Sequence, residues 1–244
     1  MKNNTIGMVW IIMPVYNEEE AAPGVIKEWS RQLEALNIDY TFCALNDGSK
    51  DSTLAQLKQC QATYPNIKIV DKKNTGHGQT CVTGYEMALE SGAEWIFQID
   101  SDGQCDPQYF PDLLKQIPGH KAVFGYRRKR EDGMQRFLIS RVVSLFTLVA
   151  TGVWVKDANV PYRLIHRDIM TKAVPLIPKD FHLANIFLSV LVRKQTPIQW
   201  VDIRFRDRTG GSPSVKTFSF FKHGTKLFKQ LRKAVNNIEQ HGSN

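Results

Sequence analysis

The chain has 244 residues, 42% hydrophobic and 23% charged, with 32 Lys and Arg against 24 Asp and Glu. That length and balance suit one large α/β domain with its own core and exclude a disordered, collagen-like or disulfide-scaffold chain. The net charge of +8 is unevenly spread: residues 1–110 hold 8 basic and 15 acidic side chains, and residues 111–244 hold 24 and 9. The basic half points to an anionic partner (nucleic acid, a membrane surface or a phosphorylated substrate) or to a merely solvated surface.

Residues 8–15 (MVWIIMPV) form an apolar, β-branched run that Tyr16-Asn17-Glu18 break, the pattern of a central strand and its loop. The run is short and ends in three glutamates, so it reads as a strand and not a signal peptide. Residues 21–36 show helical spacing through Val25, Trp29, Leu33 and Leu36. A second strand, Tyr40–Leu45, ends at Asn46-Asp47-Gly48-Ser49, and a helix capped by Asp51 or Ser52 spans 51–63. A third strand, Ile67–Val70, leads into the Gly76-His77-Gly78 loop and a helix over 79–91. A fourth, Trp95–Ile99, runs into Asp100-Ser101-Asp102. Strand and helix alternate four times, which predicts a mostly parallel, doubly wound sheet flanked by helices. Ligands of such sheets bind at the carboxyl ends of the strands, and three of these four ends carry Glu18, Asp47, or Asp100 with Asp102.

The second half is less regular. A strand over 121–126 meets Arg127-Arg128-Lys129-Arg130. The apolar stretch 137–155 contains Arg141, and its uninterrupted part, 142–155, falls short of the roughly 20 residues that span a bilayer. It predicts a buried core helix or, failing that, an interfacial one. From Phe220 onward, Leu227, Leu231, Val235 and Ile238 share a stripe while Lys222, Lys226, Lys229, Arg232 and Lys233 occupy other faces. This basic amphipathic helix lies on an anionic membrane or packs on the domain or a dimer partner. Cys43, Cys60, Cys81 and Cys105 form no CxxC pair and no His cluster accompanies them, which argues against zinc and for a reducing, cytoplasmic setting.

The segment QIDSDGQ (98–104) carries the sharpest chemistry. Two carboxylates at i and i+2 beyond a buried strand point the same way if the chain stays extended, with Gln104 two residues on. Such hard oxygen ligands suit Mg²⁺ or Mn²⁺, which in turn bridge a diphosphate; an Asp-rich turn is the plain alternative.

The ordered set PVYNEEE (14–20), NDGSKDST (46–53), GHGQT (76–80) and QIDSDGQ resembles the nucleotide-sugar half of family-2 glycosyltransferases, and among them the polyprenyl-phosphate sugar synthases. The resemblance continues through GYRRKR (125–130), LISR (138–141), DANVPYR (157–163) and DRTGGSPS (207–214). It implies a single GT-A-type, Rossmann-like domain over 1–216, with a nucleotide-sugar and metal half (1–110), an acceptor half (111–216) and the basic helix and tail at 217–244. Residue by residue, it implies that Pro14, Tyr16, Glu18 and Asp47 contact the nucleoside of a UDP- or GDP-sugar. Gly76 and Gly78 belong to the glycine loop beside the nucleotide, where bare backbone permits close approach, and Asp100 and Ser101 complete the donor site. Asp100, Asp102 and Gln104 match the metal site. Arg127 and Arg141 match positions facing an acceptor phosphate, and Arg208 the late-loop arginine over the donor diphosphate, work that suits guanidinium forks. Two departures stand out: Asn46 replaces an aspartate, and His77 stands where Lys or Leu is usual.

The implied reaction is an inverting displacement in which a divalent ion and Arg208 stabilise charge on the departing diphosphate. A hydroxyl acceptor requires a general base, yet FHLANIF (181–187) carries no carboxylate where many relatives have one. A phosphate acceptor is already ionised, so the gap favours a polyprenyl phosphate at the cytoplasmic membrane face. Asp157 is the candidate base for a saccharide hydroxyl, His182 a weaker one, and Arg163 is expected to pair with Asp157. A lipid acceptor implies a peripheral protein, alone, as a homodimer or with a membrane-protein partner. No recognition-helix or RNA-binding motif accompanies the basic half, which sets nucleic acid aside. A non-catalytic binding protein remains the other class.

Overall fold

The computed structural model describes residues 6–129, 134–178, 184–208 and Arg232. The first half builds β1 (Val9–Val15), α1 (Ala22–Ala35), β2 (Tyr40–Asp47), α2 (Thr53–Thr63), β3 (Ile67–Lys72), α3 (His77–Glu90) and β4 (Trp95–Ile99). The second builds α4 (Phe110–Leu114), β5 (Ala122–Lys129), α5 (Met134–Thr151), β6 (Tyr162–His166), α6 (Arg167–Ala173), α7 (Ala184–Gln195) and β7 (Gln199–Arg204). All seven strands join one sheet in the order β3-β2-β1-β4-β6-β5-β7. Only β6 runs antiparallel to its neighbours β4 and β5, so the GT-A-type, mostly parallel architecture is as the sequence suggests. The alternating first half is read nearly to the residue; β6 and β7, short and flanked by irregular chain, gave no comparable pattern.

Every residue of β1 is buried, as a strand covered on both faces requires. Gly84 lets α3 lie directly on it, since a Cβ there would come 3.1–3.3 Å from Ile12 side-chain atoms. On the other side Trp29, Phe97, Phe110 and Tyr162 pack ring to ring with centroids 4.7–5.9 Å apart. Emptying a site such as that of fully buried Trp29 costs about 3–5 kcal/mol. The polar edges of this cluster reach upward: Trp29 Nε1 donates to the Cys105 carbonyl at 3.2 Å and Tyr162 Oη to the Asp106 carbonyl at 2.9 Å. The core therefore anchors the loop that follows β4.

The helix α5 departs from the buried core helix expected of its sequence. Its inward face includes Ser144, Thr147 and Thr151, whereas Val142, Leu145 and Val149 are 47%, 57% and 67% exposed. Thr147 and Thr151 hydroxyls donate to carbonyls one turn back, Val143 and Thr147, at 2.7 Å, and this lets small polar residues sit inside without unmet donors. Among the described residues no helix is long and apolar enough to cross a membrane. The basic helix expected at 217–244 lies outside the described residues, Arg232 apart.

Candidate active site

Strand order reverses between β1 and β4, and open α/β sheets hold their ligands in the crevice at such a switch point. Pairing of β4 with β1 covers Val9 to Ile12; beyond it the two chains part, Pro14 towards Glu18 and Ile99 towards Asp100. Pro14 stays buried within β1, while Tyr16, at the strand's mouth, is exposed.

The loops after β1 and β2 are stitched to each other. Asn17, in the left-handed region at φ 51°, accepts from Lys50 N at 2.8 Å and donates from its own N–H to Ser49 Oγ at 3.0 Å. Glu19 accepts from Ser52 N at 2.7 Å, and Glu18 N donates to Thr53 Oγ1 at 2.9 Å. Glu18 is thereby fixed over the crevice, nearly buried, with its Oε1 paired to Arg208 and its Oε2 without a hydrogen-bond partner. Burial raises its pKa; Arg208 works against that, and Asp102 and Asp100 add to it.

Asp100 and Asp102 follow β4. Asp100 Oδ1 is buried without a hydrogen-bond partner and lies 3.8 Å from His77 Nε2. Burial holds its carboxyl above the usual range, with Asp102 adding and His77 subtracting. Asp102 Oδ1 accepts from Gln104 N at 3.1 Å. Glu18 and Asp100, both held above the usual carboxylate range mainly by burial, thus face each other beside Asp102 with two unsatisfied oxygens, an arrangement that a divalent cation relieves. No three acidic, His or Cys side chains converge as a ready-made cage among the described residues. Gln104, the third expected metal ligand, donates from its side-chain Nε2 to the Arg206 carbonyl at 3.2 Å, which leaves its Oε1 as the atom available to a cation. Ser101 is buried beside these groups.

Asp47 also has another occupation than contact with a nucleoside. Its Oδ1 accepts from Lys72 Nζ at 2.5 Å and Thr75 N at 2.9 Å, its Oδ2 from Gly76 N at 2.9 Å. Burial alone would raise this carboxyl, but the Lys72, Thr75 and Thr80 hydrogen bonds prevail and hold it below the usual range. Asp47 therefore shapes the glycine loop. The preceding Asn46 turns to Asp71, Nδ2 to Oδ1 2.7 Å.

Gly76 has φ +87° and caps α3, a conformation L side chains rarely adopt. Gly78 is not in the loop, as the sequence suggested, but in the helix's first turn, because α3 begins at His77. The first turn of α3 has N–H groups without helical partners, in general a favourable place for an anion. His77 Nε2 lies 3.6 Å from Cys81 Sγ and 3.2 Å from Asn185 Nδ2, joining α3 to α7. Cys81 and, behind it, Asp100 raise its imidazolium above the ordinary range, although half of the side chain meets water that screens them.

Several arginines of the second half, Arg127, Arg163 and Arg206 among them, have internal partners. Arg127 donates from Nε and Nη2 to the two Asp157 oxygens, each at 2.7 Å, with both side chains buried. This corrects the expected Asp157–Arg163 pair. Fully buried Arg163 bonds carbonyls instead, those of Val160 and Asn185, the latter at 2.8 Å, because the Arg127 fork has already filled Asp157. Arg141 and His182 lie outside the described side chains.

Four contributors escaped the sequence reading: Lys72, Asn185, Asp106 and Arg206. Arg206 is held by Asp106 at 2.8 Å and Glu28 at 2.6 Å, two residues before Arg208. The alternation Arg204, Arg206, Arg208 was a signal that Arg206 and Arg208 share one side of an extended chain.

The chain is similar to the undecaprenyl-phosphate 4-deoxy-4-formamido-L-arabinose transferases of Aeromonas hydrophila (25% identical over 202 residues, 78% of this chain and 61% of that protein) and Pseudomonas fluorescens (27% over 173 residues, 70% and 50%). It therefore spans half to two thirds of the length of these relatives. Among solved structures, glucosyl-3-phosphoglycerate synthase from Mycobacterium tuberculosis in complex with Mn²⁺, UDP and phosphoglyceric acid superposes with a TM-score of 0.70 at 18% identity, over 94% of this chain and 78% of that one. That likeness is one of fold. The family model "Glycosyl transferase family 2" matches residues 10–170, from β1 through the Asp100–Asp102 loop to β6 and the start of α6, and the chain belongs to that family.

Proposed function

We propose that the chain is an inverting, divalent-metal-dependent glycosyltransferase that moves a hexose from a UDP- or GDP-sugar to a polyprenyl phosphate at a membrane surface. The observation that carries the acceptor assignment is the Arg127–Asp157 fork. Asp157 is the acid best placed by sequence to serve a hydroxyl acceptor, and both its oxygens are committed to a buried guanidinium. Both oxygens already accept from the guanidinium, so neither can approach a hydroxyl without opening a charge-assisted bidentate pair. A phosphate acceptor attacks without a base. The undecaprenyl-phosphate transferases that the chain resembles bear a name of the same acceptor class.

On the donor side Glu18 and Asp100 offer the oxygens without partners, and Asp102 lies with them. A divalent ion bound there supplies Lewis-acid neutralisation of a leaving diphosphate; Mn²⁺ and UDP accompany the Mycobacterium tuberculosis enzyme, and Mg²⁺ has the same ligand preference. Arg208, exchanging Glu18 for phosphate oxygens, and the α3 N-terminus complete an anion-stabilising wall. Tyr16 offers an exposed ring for the nucleoside.

The test is nucleoside diphosphate release from a panel of UDP- and GDP-sugars, with metal, with and without short-chain polyprenyl phosphate. Formation of a sugar–phosphoprenol is expected. Absence of product with every donor overturns the proposal, and product only with a saccharide acceptor transfers it to hydroxyl chemistry.

A further inference from the structure

Several buried polar atoms lack a hydrogen-bond partner among the described residues. Glu18 Oε2 and Asp100 Oδ1 belong to the proposed cation site, and the Trp10 and Trp95 indoles stand near the opposite ends of β1 and β4. Asn185 Oδ1 has no such account. It sits in the first turn of α7, on a residue only 6% exposed. Asn185 Nδ2 lies 3.2 Å from His77 Nε2, and the same Nε2 lies 3.8 Å from Asp100 Oδ1. One imidazole edge therefore separates this amide from the carboxyl of the cation site. The backbone carbonyl of Asn185 accepts from Arg163 Nη1 at 2.8 Å and from Ser189 Oγ at 3.0 Å, so the residue is fixed in place without help from its side chain. A buried amide with half its bonding unmet is a costly arrangement unless a ligand supplies the rest.

We propose that Asn185, oriented by His77, hydrogen-bonds a hydroxyl of the donor's hexose and so selects the sugar; this rests on the transferase reading. The order of groups across the sheet supports it. The loops after β1 and β2, with exposed Tyr16, lie to one side of β4, and β6, whose Arg163 holds Asn185, lies to the other. Between them Asp100 and Asp102 follow β4. A nucleotide sugar with its nucleoside on the first side and its diphosphate at the carboxylates extends its third unit towards α7.

The chemistry of the amide narrows the ligand further. An ionised phosphate offers acceptors alone and cannot satisfy an amide oxygen. An amide turned over would give His77 its oxygen and leave Nδ2 over instead. A hydroxyl, donor and acceptor at once, meets either orientation. Because the bond is made out of bulk water, a sugar without that hydroxyl leaves the amide unmet and is rejected. His77, a departure from the family pattern, thereby gains a use: its ring edge sets the amide.

The experiment is calorimetric binding, with Mn²⁺ and no acceptor, of UDP, UDP-glucose, UDP-galactose, GDP and GDP-mannose to the full chain. Asn185→Leu is expected to weaken the sugar nucleotide at least about tenfold and to leave the free diphosphate within about twofold, which also shows that the variant is folded. Asn185→Asp, which keeps an oxygen in place but loses the amide bond to His77, is expected to restore most of the binding; a merely structural tie to His77 is lost in both variants and predicts equal losses. Monodeoxy forms of the bound sugar nucleotide identify the hydroxyl: one of them should bind the unmodified chain about tenfold more weakly than its parent, yet match its parent in Asn185→Leu. A leucine variant that weakens diphosphate and sugar nucleotide alike, or neither, overturns the proposal and leaves the transferase reading standing, as does binding of the free diphosphate alone. If none of the five compounds binds the unmodified chain, the transferase reading falls and this inference with it.

Discussion

The two halves of the sheet treat charge in opposite ways. Around β1 and β4, the carboxylates of Glu18 and Asp100 keep oxygens without partners. Beyond β4, arginines close to the site are matched inside the protein: Arg127 with Asp157, Arg163 with carbonyls, Arg206 with Asp106 and Glu28. The first arrangement leaves polar atoms unmet, which on the proposed reading a cation and a diphosphate satisfy. The second is complete already and sets geometry. Charge in this fold is thus either reserved for a ligand or used to build the wall that receives it, and substitutions should separate the two uses.

Asp102→Ala offers the largest contrast. It should lower turnover by at least about 10²–10³-fold in nucleoside diphosphate release, as should chelation of the metal, while the melting temperature stays within a degree or two. Arg163→Met should do the reverse. It leaves the Val160 and Asn185 carbonyls without their donor in a buried site, costing about 3 kcal/mol and lowering Tm by roughly 6–12 °C. Equal loss of activity and stability in both variants would break the distinction between halves. Asp157→Asn comes next. With a polyprenyl phosphate it should slow turnover less than about tenfold while destabilising the fold, because Arg127 is left buried and half-paired; near-complete loss of turnover would make Asp157 a base.

Smaller still is Asp47→Asn, expected to cost about 1–2 kcal/mol and to raise the donor KM through a loosened glycine loop. Because the folded carboxyl is held below its ordinary value, its contribution is full above about pH 4 and disappears as pH falls towards the folded value. The acid limb of a stability–pH curve should therefore flatten in this variant. Replacing the exposed Lys115–Asp112 pair with alanines should change stability by less than about 1 kcal/mol, which sets the floor against which the others are judged.

The positions of Glu18, Asp47, Asp100 and Asp102 were legible because each follows an apolar strand, and a switch-point sheet leaves strand ends in one crevice. Their occupations were not. Asp47 serves Lys72 and the Gly76 loop because a turn some 28 residues away folds back onto it, a contact that no local period encodes. The Arg127–Asp157 fork failed to show for the same reason: it joins residues 30 apart through β5 and the chain before β6, and proximity in the motif DANVPYR suggested Arg163 instead. α5 misled differently. Its apolar run contains few charges to mark an outer face, so hydrophobicity alone could not tell the side against the core from the exposed one. Serine and threonine at positions 144, 147 and 151 held that information.

The fastening of Arg206 to Glu28 and Asp106 has a consequence for selectivity. Two residues of extended chain reach about 7 Å, so Arg208 is leashed to a fixed post within sight of the crevice. Glu18 occupies it as a built-in rival, present at the high local concentration that tethering confers. An incoming anion must outcompete that rival, which a lone phosphate with one contact does poorly and a diphosphate gripping several groups at once does well. If Arg208 receives the donor diphosphate as proposed, its guanidinium works as a turnstile and Glu18 as a decoy that keeps weaker anions out.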